Sequence, residues 1–242
     1  MKKMLTIVLL PLACFLLVSA MHPQKKRQAV LIFSKTNGFR HASIAVGIEA
    51  IKKLGMANGF DVVATEDSLA FNQNNLKKYA AVIFLSPTGK VLGTAEETAF
   101  QQYIEQGGGW AGIHAATDCE YNWPWYGKLA GAYFSGHPKP QDAKLIIVNK
   151  NHPSTAGMPD TWTRKDEWYN FKDLNPDVTV LIKIDETSYT GGTNGDNHPM
   201  AWYHAYDGGR AFYTELGHTD ESYSDPMYLR HLLGGIEYAM GK

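Results

Sequence analysis

The stretch Gly107–Asp118, Gly-Gly-Gly-Trp-Ala-Gly-Ile-His-Ala-Ala-Thr-Asp, constrains this chain more than any other. Its first glycine ends a helix, Gly109–Ile113 is a short buried strand, and a sharp turn then opens a new helix. In many α/β enzymes such a turn presents a Ser or Cys nucleophile at the carboxyl end of the strand. Here His114 holds the presenting position. Imidazole is poor at acyl transfer but suited to proton transfer and metal ligation.

The segments before and after this turn alternate between strand and helix. Ala29–Ser34, Phe60–Thr65 and Ala81–Leu85 are apolar runs expected of buried parallel strands. Ser43–Ala57 carries Ile44, Ile48, Ile51 and Leu54 on one helical face, with Asn58-Gly59 as its stop. Thr94-Ala-Glu-Glu97 reads as a capping box for a helix running to Gln106. Trp123–Ala130 is a short helix and Lys144–Val148 a fifth strand. In the second half, Asp166–Phe171, Val178–Ile184, Met200–Tyr206 and Arg210–Glu215 read as strands joined by polar turns. Asp207-Gly208-Gly209 is a hairpin turn. Asp225-Pro226 opens a last helix with Leu229, Leu232, Leu233, Ile236 and Met240 on one face. This order predicts an α/β, flavodoxin-like, doubly wound and mainly parallel sheet, with antiparallel strands added in the second half. Ligands of such sheets bind beyond the carboxyl ends of the strands, where Lys35–Ala42, Ser86–Gly93 and His114–Glu120 are the loops.

Lys2 and Lys3, the apolar run to Val18 and the small residues Ser19-Ala20 form a signal peptide over residues 1–20. Residues 21–28 are a polar linker, and 29–242 form one domain. The protein is therefore expected to be exported, periplasmic or extracellular. Cys14, after Leu12-Ala13, leaves lipidation as the alternative, which Pro11 argues against; membrane attachment is expected only in that case. With Cys14 removed, Cys119 is the single remaining cysteine and reads as a small buried residue rather than a nucleophile. A formal net charge of -1 leaves no electrostatic footprint for nucleic acid.

His41 precedes a helix, where the positive end of the dipole favours neutral imidazole; it is either a metal ligand or proton acceptor, or a cap of its turn alongside Arg40. His218 directly follows the last strand, and it reaches the crevice if that strand runs parallel to the others. His204 lies inside a strand pattern. In Asp166-Glu-Trp-Tyr169, strand alternation places Asp166 with Trp168 and Glu167 with Tyr169. Either carboxylate beside a ring suits sugar recognition or acid/base work, or is a solvated strand residue. His41, His114 and His218 with one carboxylate would make an open metal site. His137-Pro138 and His152-Pro153 read as loop punctuation.

Four segments together, Gly38–Ile44, Gly112–Asp118, Asp166–Tyr169 and Leu216–Thr219, resemble the ThuA-like (trehalose utilisation) family of the class I glutamine amidotransferase-like superfamily. Gly112-Ile113-His114 resembles the elbow where an amidotransferase carries its Cys, and Leu216-Gly217-His218 the place of its His. His in place of Cys argues against glutamine hydrolysis. The resemblance implies a flavodoxin-like fold and a link to carbohydrate metabolism, often beside sugar oxidoreductases that make keto-sugars.

The leading expectation is an enzyme that hydrolyses, eliminates or isomerises a glycoside or keto-sugar. His41, His114 and His218 would hold a divalent metal (zinc, manganese or iron), and no nucleotide cofactor is expected. His114, Glu167 and Asp118 would carry the chemistry. Arg40, Trp123, Trp125, Trp168, Tyr169 and His204 would contact a small carbohydrate. The alternative is a non-catalytic carbohydrate-binding module in which the same rings bind sugar and the histidines are incidental.

Overall fold

The computed structural model describes residues 27–242. The expected signal peptide, Cys14 and most of the linker lie outside the described residues. Among the described residues no helix is long and apolar enough to cross a membrane. Arg27 already belongs to the domain, donating to the carbonyls of Gly55 and Phe60.

The chain runs β1 (Gln28–Phe33), α1 (Ile44–Asn58), β2 (Phe60–Thr65), α2 (Gln73–Leu76), β3 (Ala81–Leu85), α3 (Thr94–Glu105) and β4 (Gly109–Ile113). It continues through α4 (Pro124–Ala130), β5 (Tyr133–Gly136), β6 (Gln141–Ile147), β7 (Thr161–Asp166), β8 (Asn170–Lys172) and β9 (Thr179–Ile184). It ends with β10 (Pro199–Tyr206), β11 (Gly209–Thr214) and α5 (Pro226–Ala239). Nine strands form one sheet in the order β2-β1-β3-β4-β11-β10-β9-β6-β7, and β5 pairs with β8 apart from it. The first five of these strands are parallel and the remaining four add on antiparallel. The parallel part has the flavodoxin-like order, with its reversal between β1 and β3.

Every residue of β3 and β4 is buried, as a strand covered by helices on both faces requires. Alternation along β3 sends Phe84 towards Phe100 of α3 and Tyr126 of α4, and Leu85 towards Gly47 of α1. Thus α1 covers one face and α3 with α4 the other, while α5 packs beside α1. The hairpin turn between β10 and β11 has two left-handed residues, Asp207 and Gly208, between paired Tyr206 and Gly209. That is the geometry a two-residue hairpin favours.

Three sequence expectations are corrected. The fifth parallel strand is β11; the expected strand Lys144–Val148 overlaps β6, which ends at Ile147 and is antiparallel to both its neighbours. Apolar content alone carries no strand direction. Thr94 is the first helical residue of α3 and Gly93 its cap, with no side-chain cap; Glu97 pairs with Lys90 instead of closing a capping box. Asp166–Phe171 is not one strand: β7 ends at Asp166 and the chain leaves the sheet before β8. Asp166 is held at that break by Arg164, 3.1 Å away.

Candidate functional site

Four segments meet beyond the carboxyl ends of the parallel strands. His41 lies in the turn between β1 and α1, which Ser43 ties down by donating from Oγ to the carbonyl of Gly217 at 3.1 Å. His114 follows β4 directly and has φ +50°, the left-handed region that a side chain normally avoids. His218 follows β11, which does run parallel to β4. Its predecessor Gly217 has φ +116°, and a Cβ there would stand 2.5 Å from the Tyr228 hydroxyl oxygen. The Asp166 carboxylate accepts both the Gly217 and the His218 amide, each at 3.2 Å, and so sets that loop from the side of β7. Glu167 is the next residue along and turns inward.

These pieces place one donor atom each from His41, His114, Glu167 and His218 within 4.8 Å of one another. The His114 Nδ1 proton goes to the carbonyl of Glu215 at 2.8 Å, since a carbonyl can only accept. In the neutral ring Nε2 is then a lone pair facing the cluster. The His218 Nδ1 proton is shared by Glu167 Oε2 at 3.1 Å and His114 Nε2 at 3.2 Å. Glu167 Oε2 also lies 3.4 Å from His114 Nε2, two acceptors facing one another. The His41 ring stands edge-on to those of His114 and His218, with centroids 4.7 and 5.3 Å away. Its Nδ1 is buried without a hydrogen-bond partner.

Charge balance within the cluster follows from burial. The His41 pKa is pulled down to about 3, first by burial and then by the His114 and His218 imidazoles, so it is a neutral ring with a free lone pair. Burial opposes charge on Glu167 too, but its contacts with the His114 and His218 imidazoles outweigh it and hold the carboxyl below its usual range. Burial likewise opposes charge on His218, yet its contact with Glu167 raises its pKa overall. Three imidazoles and a carboxylate with surplus lone pairs match the donor set that zinc, manganese and iron take from proteins.

The cluster opens into a pocket of about 340 Å³, walled by Phe39, Phe134 and Tyr169 and by Asp118. Asp118 accepts from the Tyr121 hydroxyl at 2.6 Å, and burial raises its pKa. Tyr169 packs against the His114 ring at 4.5 Å. The other residues expected to contact substrate lie elsewhere. Arg40 is exposed and paired with Glu66. Trp123 and Trp125 stack on each other and meet the Phe100 ring edge-on. Trp168 is fully buried and donates to the carbonyl of Gln141. These indoles serve the core, where large apolar area is stabilised most. His204 lines a different cavity.

Two residues the sequence reading passed over stand here. His137 sits at the pocket mouth with Nδ1 3.0 Å from Glu167 Oε1; the β5 strand that delivers it was not foreseen, so His137-Pro138 looked like plain loop. Glu215 is wholly buried behind His114, its Oε1 accepting the Tyr169 amide at 3.1 Å, and burial pushes its pKa well up. An acidic residue at a strand end gives no sequence signal of such burial.

Comparison with known proteins places the chain. Among curated proteins no sequence matches it. A protein described as ThuA-like from Bacteroides uniformis ATCC 8492 has a similar structure, with TM-score 0.75 and 28% identity over 91% of this chain and 94% of that one. A second protein so described, from Parabacteroides merdae ATCC 43184, shares the fold with TM-score 0.75 and 22% identity, over 90% of this chain and 91% of that one. A β-galactosidase from Bacillus circulans sp. alkalophilus shares the fold alone, with TM-score 0.58 and 11% identity, over 89% of this chain but 31% of that enzyme. The family model for ThuA, trehalose utilisation, matches residues 29–239. The chain belongs to the ThuA family.

Proposed function

We propose that this protein is a metal-assisted carbohydrate-processing enzyme that hydrolyses, eliminates or isomerises a glycoside or keto-sugar. His41, His114, Glu167 and His218 would hold the divalent cation. One observation carries the reading: three imidazoles and a carboxylate from four separate segments converge within 4.8 Å at the crevice where this fold binds ligands. A bound cation supplies Lewis-acid polarisation of a substrate carbonyl or hydroxyl oxygen.

The remaining work falls to the chain's own side chains. Glu167 is engaged by His114, His218 and His137, so it is a ligand rather than a free base. Proton transfer beside the polarised carbon is assigned to Asp118, whose raised pKa brings it closer to the working range of a general acid or base. Tyr121, donating to Asp118, fixes which carboxylate oxygen faces the pocket. Phe39 and Phe134 offer apolar ring faces to the C–H face of a sugar. A volume of about 340 Å³ suits one small ligand. The reading includes export directed by residues 1–20, and a sugar oxidoreductase upstream as the source of a keto-sugar.

Elemental mass spectrometry of the purified protein beside His114→Ala and His218→Ala tests it. Near-stoichiometric zinc, manganese or iron that is lost in both variants is expected, together with turnover of keto-glycosides that tracks the metal. No metal on isolation and none regained on titration would overturn the reading; saturable sugar binding without turnover would then leave a carbohydrate-binding module.

A further inference from the structure

One short loop, Glu215–His218, carries the contacts that assemble the cluster. It begins directly after β11, and each clustered donor is tied to it. His114 donates from Nδ1 to the Glu215 carbonyl at 2.8 Å. Ser43, in the same turn as His41, donates to the Gly217 carbonyl at 3.1 Å. Glu167 is tied through its neighbour Asp166, and His218 belongs to the loop itself. All of these bonds join protein atoms alone.

Asp166 is the anchor of this arrangement. It ends β7, wholly buried, and both its oxygens are engaged. Oδ1 accepts the His218 amide at 3.2 Å and the Glu167 amide at 3.1 Å, so one oxygen sets the spacing of two donor-bearing residues. Oδ2 accepts the Gly217 amide at 3.2 Å and the Ser222 hydroxyl at 3.3 Å. Arg164, itself buried, supplies the opposite charge 3.1 Å from Oδ2. For stability alone, an apolar pair of similar volume often serves as well as a buried ion pair. An apolar pair cannot accept backbone amides from two separate segments at once.

We propose that Asp166 is a positioning residue: with Arg164 it holds Gly217 and His218 so that His41, His114, Glu167 and His218 stand in place before a cation binds. The cation rests on the proposed function, whereas the holding of the loop does not. A donor set already in place spares binding the cost of ordering a loop, which raises affinity without a new contact. Asp166→Asn keeps one acceptor oxygen and turns an NH₂ group towards N–H groups that already point there.

Amide hydrogen exchange in the metal-free protein, beside zinc titration against a chelator, tests the role in Asp166→Asn. Slow exchange at Gly217 and His218 is expected in the wild type, and fast exchange there would overturn the proposal. In the variant their exchange should quicken by roughly tenfold or more, while Ile83 and Phe84 in buried β3 stay unchanged. Zinc affinity should fall by roughly 10–100-fold. Zinc affinity equal to that of the wild type would overturn the positioning role, whether exchange quickens in the loop or throughout β3. If β3 loses protection and zinc binding falls with it, Arg164→Lys takes the variant's place. It keeps the charge but not the planar fork, and the same changes are expected in smaller measure; no change in either readout would overturn the proposal. A wild type that takes up no zinc counts against the proposed function, and the exchange comparison then decides by itself whether Asp166 holds the loop.

Discussion

His114 donates its Nδ1 proton to the backbone carbonyl of Glu215 across 2.8 Å. The two residues directly follow neighbouring parallel strands, so the bond is built into the sheet register, in which Ile113 pairs with Thr214. It sets both the tautomer and the ring direction of the central histidine, leaving Nε2 for the cluster.

The backbone at His114 is held at φ +50° by that placement. A non-glycine residue in this region costs about 1–2 kcal/mol. His114→Ala and His114→Gly should therefore both lose the metal and activity, while the Gly variant is the more stable by about 1 kcal/mol in urea denaturation. An Ala variant as stable as the Gly variant would show that the turn is not strained.

Asp118 and the four clustered residues should separate experimentally. Asp118→Asn is expected to keep metal content at the wild-type level and to lower kcat by about 10²–10⁴. Glu167→Gln is expected to weaken metal affinity by about 10–100-fold, because a carboxylate that three imidazoles touch becomes a neutral amide. Metal titration followed by steady-state kinetics distinguishes the two. Metal loss in Asp118→Asn would place that residue among the ligands.

Acid should destabilise the fold through a different pair. His231 is wholly buried, bonded to the Ser154 carbonyl and Thr214, and burial pulls its pKa down to about 4; His152 is likewise pulled down to about 4. Above pH 6.5 these rings are neutral in folded and unfolded chains alike. Between pH 6.5 and 4 the unfolded chain takes up protons that the folded chain refuses, so stability falls as pH falls through that window. For His231 alone the full span is about 3 kcal/mol. Denaturant midpoints at pH 7, 5.5 and 4.5 should drop steadily, and His231→Gln should flatten the drop. A flat wild-type profile would contradict the assignment.

Cys119 should be inert in the folded protein. Its side chain is 0% exposed, and burial raises its thiol pKa well above the ordinary value. A thiol reagent such as DTNB is expected to react only after denaturant is added. Rapid labelling of the native protein would show that the segment between β4 and α4 opens.

Much of the fold was legible because its signals are local. Apolar runs at β1, β3 and β4, the face of Ile44, Ile48 and Ile51, and the Asp225-Pro226 start of α5 each depend on neighbours within a few residues. The His114 turn was legible for the same reason: a strand that ends in Gly-Ile-His and turns at once leaves the imidazole at the strand's carboxyl edge.

By itself, then, the sequence determined the first parallel strands, the helices between them and the last helix, and that His41, His114 and His218 occupy loops at strand ends. Tertiary structure decided what those loops meet. Only the parallel placement of β11 beside β4 brings His218 to His114, and only the break after β7 turns Glu167 inward and leaves Trp168 in the core. His137 and Glu215 join the site through β5 and β11, whose pairings span tens of residues. Strand direction and pairing arise from burying whole faces against one another, a long-range energy that no short window of sequence contains.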